Sequence, residues 1–264
     1  MKLSFIGCGN MGTAMLKGIL AKGIIAKEDI TIAEISAEML KATCDSLGVW
    51  GTLDNKEAVR QGDIIVLAVK PQYYEEVIKG IKDEIREDQI IITIAPGKSL
   101  AWVEDICGKP VKIVRTMPNT PALVQEGMTG VCANDRVSES DLKEILQLLE
   151  GFGKTEIVPE QLMDVVTAVS GSSPAYVFLL IEAMADAAVA DGMPREQAYN
   201  FAAQAVLGSA KMVLETDKHP GELKDMVCSP GGTTIEAVRI LEEKGMRSSI
   251  IEAMKACVNK SKSL

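Results

Sequence analysis

The fold is decided by a segment at the start of the chain, Lys2-Leu3-Ser4-Phe5-Ile6-Gly7-Cys8-Gly9-Asn10-Met11-Gly12. Its first five residues predict a buried strand, and its last six match G-x-G-x-x-G at the start of an amphipathic helix that runs to Lys22. Glycines at these positions permit a tight turn, the approach of a pyrophosphate and close helix packing. The segment therefore predicts a dinucleotide site, whereas a glycine-rich turn without a ligand is the alternative. The predicted site residues are Ile6, Gly7, Cys8, Gly9, Asn10, Met11 and Gly12.

Short β-branched runs alternate with helical patterns through residue 158. They lie at Lys2–Ile6, Ile30–Glu34, Asp63–Val69, Ile90–Ile94, Val111–Arg115, Met128–Ala133 and Thr155–Val158. Strands that are separated by crossover helices predict a mostly parallel, doubly wound α/β sheet. The rest of the chain is rich in Ala, Met and Leu and has no strand signal. We therefore expect a Rossmann-like domain over residues 1–158 and an all-α domain over residues 159–264.

An acidic residue, Glu34, ends the second predicted strand, 22 residues after Gly12. A carboxylate at this position can accept hydrogen bonds from the ribose 2′-hydroxyl of NAD and would repel the 2′-phosphate of NADP. No arginine follows closely enough to hold such a phosphate. The alternative is an exposed charge that makes no ligand contact, because acidic residues are common in loops at strand ends.

Three further strands end in loops at the carboxyl edge of the sheet, where open α/β sheets bind ligands. The loops are Ala68-Val69-Lys70-Pro71, Ala95-Pro96-Gly97 and Met117-Pro118-Asn119-Thr120-Pro121. Loops that proline holds at this edge are expected to line the nicotinamide pocket, although rigid turns without a ligand would look the same. Lys70 is a cofactor neighbour, a proton donor or an ordinary exposed lysine.

Two Ser- and Gly-rich turns interrupt the helical half, each directly before a predicted helix. They are Ser170-Gly171-Ser172-Ser173-Pro174 and Ser229-Pro230-Gly231-Gly232-Thr233-Thr234. Both are expected to expose amide groups and hydroxyls at a positive helix end, an arrangement that binds a carboxylate. Helix capping alone is the alternative. Further helix starts are predicted at Met193-Pro194 and Pro220-Gly221, because proline in the first turn costs no hydrogen bond.

The composition favours a small-molecule partner. Acidic residues outnumber basic ones 37 to 28, and a net charge of −9 without a basic block argues against nucleic-acid binding. Six widely spaced cysteines and one histidine are too few for a zinc set, so no metal is expected. The N-terminus runs straight into the glycine-rich turn without a signal peptide, which predicts a cytoplasmic protein.

The most apolar stretch, Ala175–Ala190, contains Glu182 and Asp186, which lie four residues apart on one helical face. Charged side chains are costly in lipid, so we expect a buried helix of a soluble protein and no membrane span. Small residues are dense in this stretch and in the next segment, which permits close helix contact. A helical domain this small and apolar buries its faces better against a second copy, so we expect a homo-oligomer.

The segment Leu223–Ala237, which contains the second Ser- and Gly-rich turn, strongly resembles the signature of pyrroline-5-carboxylate reductases, the last enzymes of proline biosynthesis. The resemblance extends along the whole chain in order. Its other segments are Phe5–Gly12, Ala68–Pro71, Met117–Pro121, Ser170–Tyr176 and His219-Pro220-Gly221. This resemblance implies a Rossmann domain, a helical dimerisation domain, and a dimer or a ring of dimers.

The resemblance also implies a reaction, in which NADPH or NADH delivers a hydride to the C=N bond of Δ1-pyrroline-5-carboxylate and gives L-proline. The residues implied for the substrate carboxylate are Ser229, Gly232, Thr233 and Thr234. Thr234 would point at the ring nitrogen as the catalytic residue, Asn55 would lie near the adenosine ribose, and Glu160 near the substrate. The chain departs from the family pattern at Glu34, where many relatives carry a small polar residue suited to NADPH. The preferred dinucleotide therefore stays open.

Two other functions compete with this interpretation. A β-hydroxyacid dehydrogenase has a similar pair of domains and uses a catalytic lysine, but Lys211 and Lys224 both lack the expected Gly-rich context. A non-catalytic dinucleotide sensor would keep the first glycine-rich turn and would have no use for the turn at 229–234. His219 is expected to be structural or to start a helix, because imine reduction requires orientation more than a strong acid or base.

Overall fold

The computed structural model describes residues 1–263. The chain forms two compact units. The first consists of residues 1–172 together with the segment that starts at Cys257, and the second is Ser173–Ala256.

The first unit is built on one eight-stranded sheet. Its strands are β1 (Leu3–Ile6), β2 (Ile30–Ala33), β3 (Trp50–Thr52), β4 (Ile64–Leu67), β5 (Ile90–Thr93), β6 (Lys112–Met117), β7 (Gly127–Ala133) and β8 (Gly153–Ile157). They lie in the order β3-β2-β1-β4-β5-β6-β7-β8. All neighbours pair in parallel except β6 and β7. This pair is antiparallel because a short 3-10 turn, Thr120–Val124, joins the two strands in place of a crossover helix.

Helices connect and cover the parallel strands. They are α1 (Asn10–Ala21), α2 (Ala37–Leu47), α3 (Asn55–Gln61), α4 (Tyr74–Ile81), α5 (Leu100–Cys107), α6 (Glu139–Leu149) and α7 (Met163–Val166). Apolar side chains cover both faces of the sheet, and consecutive side chains of β1 point to opposite faces. Phe5 packs in one core cluster with Leu16 and Phe152, and Ile6 packs in the other with Leu67. The predicted doubly wound α/β fold is confirmed.

Strand β3 and the helix α3 that follows it were not predicted from the sequence. Trp50-Gly51-Thr52 is too short to show a period, and Gly51 interrupts it. The spacing of Asp54 and Glu57 resembles a helix N-terminal signature and could have located α3, since Asp54 caps it by accepting a hydrogen bond from Lys56 N–H. The omission matters because the loop after β3 and the start of α3 line part of the cleft described below.

The second unit is helical, as expected. Its helices are α8 (Ser173–Ala190), α9 (Arg195–Glu215), α10 (Pro220–Val227) and α11 (Thr233–Glu243), and it contains most of α12 (Met246–Ser261). Starts at Ser173, just after Pro194, and at Pro220 agree with the predicted proline positions. Between residues 159 and 263 the structure contains no strand.

The apolar stretch at Ala175–Ala190 is not buried in the single chain, and that expectation is wrong. Within α8 only Ala185 is buried, whereas Phe178 and Leu179 are 62% and 67% exposed. The reason is geometric: α8 packs mainly against α9 within its own unit, and a single neighbouring helix covers only a stripe of its surface. Within residues 1–263, the segment Glu160–Ala190 is the one helical stretch long and apolar enough to cross a membrane, with a mean hydropathy of 1.4.

Candidate functional site

The glycine-rich turn after β1 is held tightly by the sheet. Gly7 adopts φ +79°, a conformation that side chains other than glycine rarely take, and its N–H donates to Ala33 C=O over 2.8 Å. A Cβ atom on Gly7 would lie 2.7 Å from Val69 Cγ1. The first glycine is therefore required both by the backbone and by the packing of β1 against the end of β4.

The start of α1 has the features of an anion site. The helical hydrogen bonds begin with Thr13 N–H donating to Gly9 C=O (2.9 Å), so the amides of Asn10, Met11 and Gly12 precede the ladder. Gly9 caps the helix without a side-chain bond, and no atom lies within 4 Å of the place where its Cβ would be. This open cradle and the positive helix end fit a pyrophosphate group.

Glu34 braces the same turn from the end of β2. Its side chain is buried, its Oε1 accepts a hydrogen bond from Cys8 N–H, and its own N–H donates to Thr52 C=O over 3.2 Å. Burial raises the pKa of the Cys8 thiol to about 11, while a hydrogen bond with Thr13 lowers it and the charge of Glu34 raises it further. Cys8 is therefore a neutral, unreactive thiol at physiological pH.

A cleft of about 610 Å³ opens beside this turn. Its lining is Gly7, Ala33, Glu34, Ile35, Leu53, Asp54, Asn55, Lys56, Val69, Tyr73, Glu76, Val77, Gly80 and Ile81. The cleft brings together Gly7, Glu34, Asn55 and Val69, which sequence and resemblance assigned separately to a dinucleotide. The size and shape suit the adenosine half of such a cofactor. The walls from the loop after β3, from α3 and from α4 were not predicted, because these elements are too short or too distant in sequence to be paired by pattern.

A buried tyrosine fixes two of the loops at the carboxyl edge. Tyr74 is fully buried, and its hydroxyl donates to Leu67 C=O and accepts from Ile94 N–H over 3.2 Å. Burial raises its pKa to about 12, so it stays protonated. Through these bonds Tyr74 joins the strand ends that precede the loops at Ala68–Pro71 and Ala95–Gly97. Lys70 is exposed, and its C=O accepts from Tyr73 N–H over 3.0 Å.

Glu160 forms a largely buried ion pair with Arg115 in the first unit. Its Oε1 accepts from Leu100 N–H, the first amide of α5, over 2.7 Å and from Arg115 Nη1 over 3.0 Å. The Arg115 side chain is 6% exposed and that of Glu160 33%. Arg115 Nε is buried and has no hydrogen-bond partner among residues 1–263. One carboxylate oxygen thus anchors α5 and neutralises a buried cation, an arrangement that no local sequence pattern predicts.

The first Ser- and Gly-rich turn uses some of its polar groups in hydrogen bonds of its own, and its residues 170–173 are only partly exposed. Thr167–Gly171 form a π-helical turn, Ser172 N–H donates to Thr167 C=O over 2.8 Å, and Ser170 Oγ donates to Val166 C=O over 3.1 Å. Asn119 ties the turn to the β6 loop by donating to Ser170 C=O over 3.0 Å. The cause is the wide turn, whose own carbonyls take up the amide and hydroxyl groups.

The second Ser- and Gly-rich turn is built differently. Ser229 C=O accepts from Gly232 N–H over 3.0 Å across Pro230 and Gly231, and φ of Gly231 is +68°. Proline followed by a glycine with positive φ is the pattern of a type II turn. Gly232 then caps α11 without a side-chain bond, which places the amides of the next two residues ahead of the helical ladder.

The side chains of this turn are accessible in the single chain. Ser229 and Thr233 are exposed and Thr234 is partly exposed. Upstream, His219 Nδ1 accepts from Gly221 N–H over 3.0 Å and so caps α10, the helix that leads into the turn. His219 is therefore a helix-capping residue, as expected. The turn offers amides and hydroxyls at a helix N-terminus, which suits a carboxylate.

Comparison with known proteins gives consistent matches. A family model described as pyrroline-5-carboxylate reductase dimerisation matches residues 160–264, and one described as NADP oxidoreductase, coenzyme F420-dependent, matches residues 2–97. The chain is 51% identical to the pyrroline-5-carboxylate reductase of Escherichia coli over 263 residues, which covers 100% of this chain and 98% of that protein.

Two further relatives match the chain at lower sequence identity. The chain is 44% identical over 263 residues to the pyrroline-5-carboxylate reductase of Methanosarcina acetivorans, which covers 100% of this chain and 97% of that protein. The crystal structure of Plasmodium falciparum pyrroline carboxylate reductase with NADP bound has a TM-score of 0.92 and 36% identity, with 100% of this chain and 97% of that chain covered.

Proposed function

The chain belongs to the pyrroline-5-carboxylate reductase family and reduces Δ1-pyrroline-5-carboxylate to L-proline with NAD(P)H, and we propose that its two glycine-rich turns each hold one of the two ligands. The observation that carries this proposal is the type II turn at Ser229–Gly232, which opens α11 with accessible amides and hydroxyls. Neither a β-hydroxyacid dehydrogenase nor a dinucleotide sensor needs such a turn.

The first unit supplies the proposed cofactor site. The amides at the start of α1 would bind the pyrophosphate, the 610 Å³ cleft the adenosine, and the loops after β4 and β5 the nicotinamide. The residues in this part of the proposal are Ile6, Gly7, Cys8, Gly9, Asn10, Met11, Gly12, Glu34, Asn55, Ala68, Val69, Lys70, Pro71 and Pro96. Their support is the open cradle at Gly9 and the shared cleft.

The second unit supplies the proposed carboxylate site. Ser229 and Thr233 would bind the substrate carboxylate through their hydroxyls, and the amides of Thr233 and Thr234 would add donors at the positive end of α11. Gly232 would contribute through its lack of a side chain, since its own N–H already donates to Ser229 C=O over 3.0 Å. Because α11 has 11 residues, its end carries an appreciable partial charge. Glu160, which belongs to the first unit, is proposed to lie near the substrate. Its Oε2 would face the substrate, since its Oε1 already accepts two hydrogen bonds.

The reaction does not require a strong acid or base group from the protein. Bound NAD(P)H supplies the hydride that reduces the C=N carbon. Hydride addition converts the protonated imine into the secondary amine of proline, which keeps its N–H proton and then takes up one solvent proton to become the ammonium group. The Thr234 hydroxyl would accept a hydrogen bond from that nitrogen and hold the ring in one orientation. The carboxylate anchor prevents the ring from rotating out of line.

Residues 160–264 match the family's dimerisation domain, so this part of the chain self-associates. We propose that a second copy covers the groove of α8 and α9, which is lined by Phe178, Leu179 and Tyr199 among others. Two charged side chains argue against lipid here: Glu182 lies in the groove, and Asp186 pairs with Arg195. A dimer or a ring of dimers in the cytoplasm, without membrane or nucleic-acid partners, completes this part of the proposal.

We propose that cofactor binding and substrate binding are assigned to different predicted domains. Residues 1–158 would bind the dinucleotide, and residues 159–264 would bind the substrate and the second copy. The family model for dimerisation begins at residue 160, which supports this boundary, whereas the compact units of the structure divide after Ser172.

Replacement of the catalytic hydroxyl tests the proposal. Thr234→Ala is expected to lower kcat with Δ1-pyrroline-5-carboxylate by about 10- to 100-fold, because a hydrogen bond to a charged group contributes about 1.5–3 kcal/mol. Dinucleotide affinity, measured by fluorescence titration with NADH and NADPH, should not change. Thr234→Ser keeps the hydroxyl and should retain most of the activity.

Unchanged turnover in Thr234→Ala would remove Thr234 from the mechanism. The same assay separates the competing functions when it is run with Δ1-pyrroline-5-carboxylate, with 2-methyl-3-oxoacids and with neither. Oxidation of NAD(P)H only in the presence of the cyclic imine is the expected result. Oxidation only with the oxoacids, or with no substrate, would contradict the proposed function.

A further inference from the structure

We propose that Glu34 makes this enzyme select NADH over NADPH, by placing a fixed carboxylate where the 2′-phosphate of NADPH would have to lie. The inference rests on the proposed cofactor site and deepens it. Its basis is the contacts of Glu34 and the charges of the cleft, which together distinguish a selecting residue from an ordinary exposed acid.

The carboxylate of Glu34 is held in place. Only 8% of the residue is exposed, and its Oε1 accepts a hydrogen bond from Cys8 N–H within the glycine-rich turn. The backbone beside it is fixed as well, because Glu34 N–H donates to Thr52 C=O over 3.2 Å. A rotation of the side chain away from a phosphate would leave the buried Cys8 amide without its acceptor. The negative charge therefore cannot move aside at low cost.

The same carboxylate remains able to bind a ribose. With Oε1 engaged by Cys8, the second oxygen is left to accept hydrogen bonds from ribose hydroxyls, and Glu34 lines the 610 Å³ cleft together with Asn55. A carboxylate only accepts hydrogen bonds when ionised, and the hydroxyls of an adenosine ribose are donors. A phosphate at the 2′ position has no donor to offer at neutral pH and adds almost two negative charges.

The rest of the cleft adds to this discrimination. Three carboxylates, Glu34, Asp54 and Glu76, line it against a single cation, Lys56, which leaves a net charge of −2 from the four side chains. Arginine, the residue best suited to a phosphate, is not among the lining residues that the structure describes. Lys56 is exposed and hydrated, so its charge is screened more than that of the buried Glu34.

A merely structural role for Glu34 makes a different prediction. If its only task were to brace the turn through Cys8, a variant that loses the acceptor would weaken the binding of NADH and NADPH alike, and a variant that keeps it would change neither. Glu34→Gln separates the two roles, because the amide oxygen can still accept the bond from Cys8 N–H while the charge is gone. Glu34→Ser provides a second variant that removes the charge and shortens the side chain.

The experiment measures preference in two ways. The first is the ratio of kcat/KM with NADH to that with NADPH, with Δ1-pyrroline-5-carboxylate as substrate. The second is calorimetric binding of ADP-ribose and 2′-phospho-ADP-ribose, which needs no turnover. We expect the wild type to favour NADH and ADP-ribose by about 30-fold or more, and Glu34→Gln to reduce both preferences at least about tenfold. Glu75→Gln, on α4 outside the cleft lining, is the matched control and should leave them unchanged.

Equal use of the two cofactors by the wild type, or a preference for NADPH, would overturn the inference. An unchanged preference in Glu34→Gln, together with equal losses for both fragments in Glu34→Ser, would assign Glu34 to the turn alone and would also overturn it. Failure of the proposed function looks different: imine reduction would be absent with either cofactor, while the two fragments would still report on Glu34.

Discussion

The two glycine-rich turns open helices in the same way but are supported very differently. The turn at Gly7–Gly12 is bonded to Ala33 and Glu34 and packed against Val69, so the sheet holds it from three sides. The turn at Ser229–Gly232 is closed by its own hydrogen bond, and most of its residues are exposed. The first site is therefore preorganised within one chain, whereas the second depends on what covers the helical unit.

The same contrast extends to the two units as a whole. The first unit encloses both faces of its sheet in apolar clusters. In Ser173–Ala256 the buried apolar residues are Ala185, Ala198, Ala202 and Leu223. Larger side chains of that unit lie at the surface, such as Phe201 at 68% and Leu214 at 69% exposure. A surface this apolar is typical of an interface, which agrees with the dimerisation model that matches it.

A charge on the exposed face of α8 should have the largest effect. Leu179 is 67% exposed in the single chain. Leu179→Arg would bury an unpaired cation in the proposed interface, which costs several kcal/mol and should weaken self-association at least about 100-fold. We expect the mass in solution to fall to the 28.3 kDa of one chain at micromolar concentration, with loss of imine reduction. Light scattering and the NAD(P)H assay measure the two effects.

The control for this variant changes charge in the first unit. Glu38→Arg lies on an exposed position of α2 and should alter neither mass nor activity. An assembled and active Leu179→Arg enzyme would show that α8 does not meet the second copy. A monomeric mass for the wild type would contradict the contrast between the two units altogether.

Removal of the acid from the ion pair in the first unit should have the next largest effect. Glu160→Leu leaves the Arg115 guanidinium and the Leu100 amide buried without their acceptor, so the free energy of unfolding should fall by about 3 kcal/mol. Urea unfolding measures this change. The double variant Arg115→Met/Glu160→Leu should recover part of it, because the orphaned charge is gone.

Glu160 also has a proposed role near the substrate, and the same variants distinguish the two roles. The structural role predicts lower stability with an unchanged oligomeric mass. If stability were unchanged and only KM for Δ1-pyrroline-5-carboxylate rose, Glu160 would act on the substrate alone. Glu160→Gln keeps an acceptor for Leu100 and should lie between wild type and Glu160→Leu.

A single methyl group in the closed core should have the smallest effect. A Cβ on Gly18 in α1 would lie 2.6 Å from Phe152 Cβ and 2.7 Å from Gly151 C=O. Gly18→Ala gains about 1 kcal/mol in helix propensity but forces a shift that costs about 1–3 kcal/mol, so a net loss of about 1 kcal/mol is expected. Thermal unfolding measures it. Gly80→Ala in α4 meets no atom within 4 Å and should stabilise slightly.

Equal stabilisation by both alanines would show that the core beside α1 is loosely packed. That outcome would weaken the view that the first unit is complete by itself.

Local patterns in the sequence were sufficient for much of the first unit. The glycine spacing at Gly7–Gly12 and the β-branched runs predicted the strand, turn and helix, because each depends on neighbours within one turn of backbone. The buried hydroxyl of Tyr74 was not predictable, since its partners Leu67 and Ile94 lie on two different strands. The missing strand β3 is only three residues long and carries no period.

The second unit shows the opposite limit. Its apolar residues and proline positions predicted the helices, but they also suggested that Ala175–Ala190 is buried, which the single chain contradicts. The period of apolar residues along a helix predicts that one face is apolar, but it does not predict which part of the protein or of a second copy covers that face. For the same reason the two Ser- and Gly-rich turns looked alike, although one is consumed by a π-helical turn and the other is open.

The doubly wound sheet, the helical second half and the two glycine-rich motifs could be predicted from the sequence alone. The resemblance to known sequences indicated the family. These features follow from local backbone preference and from the spacing of residues along the chain. Only the tertiary structure decided that Glu34 is anchored to Cys8, that Glu160 neutralises Arg115, and which residues line the cleft. Such contacts join residues tens of positions apart, and their geometry is fixed only when the sheet assembles and water leaves the groups between its strands and helices.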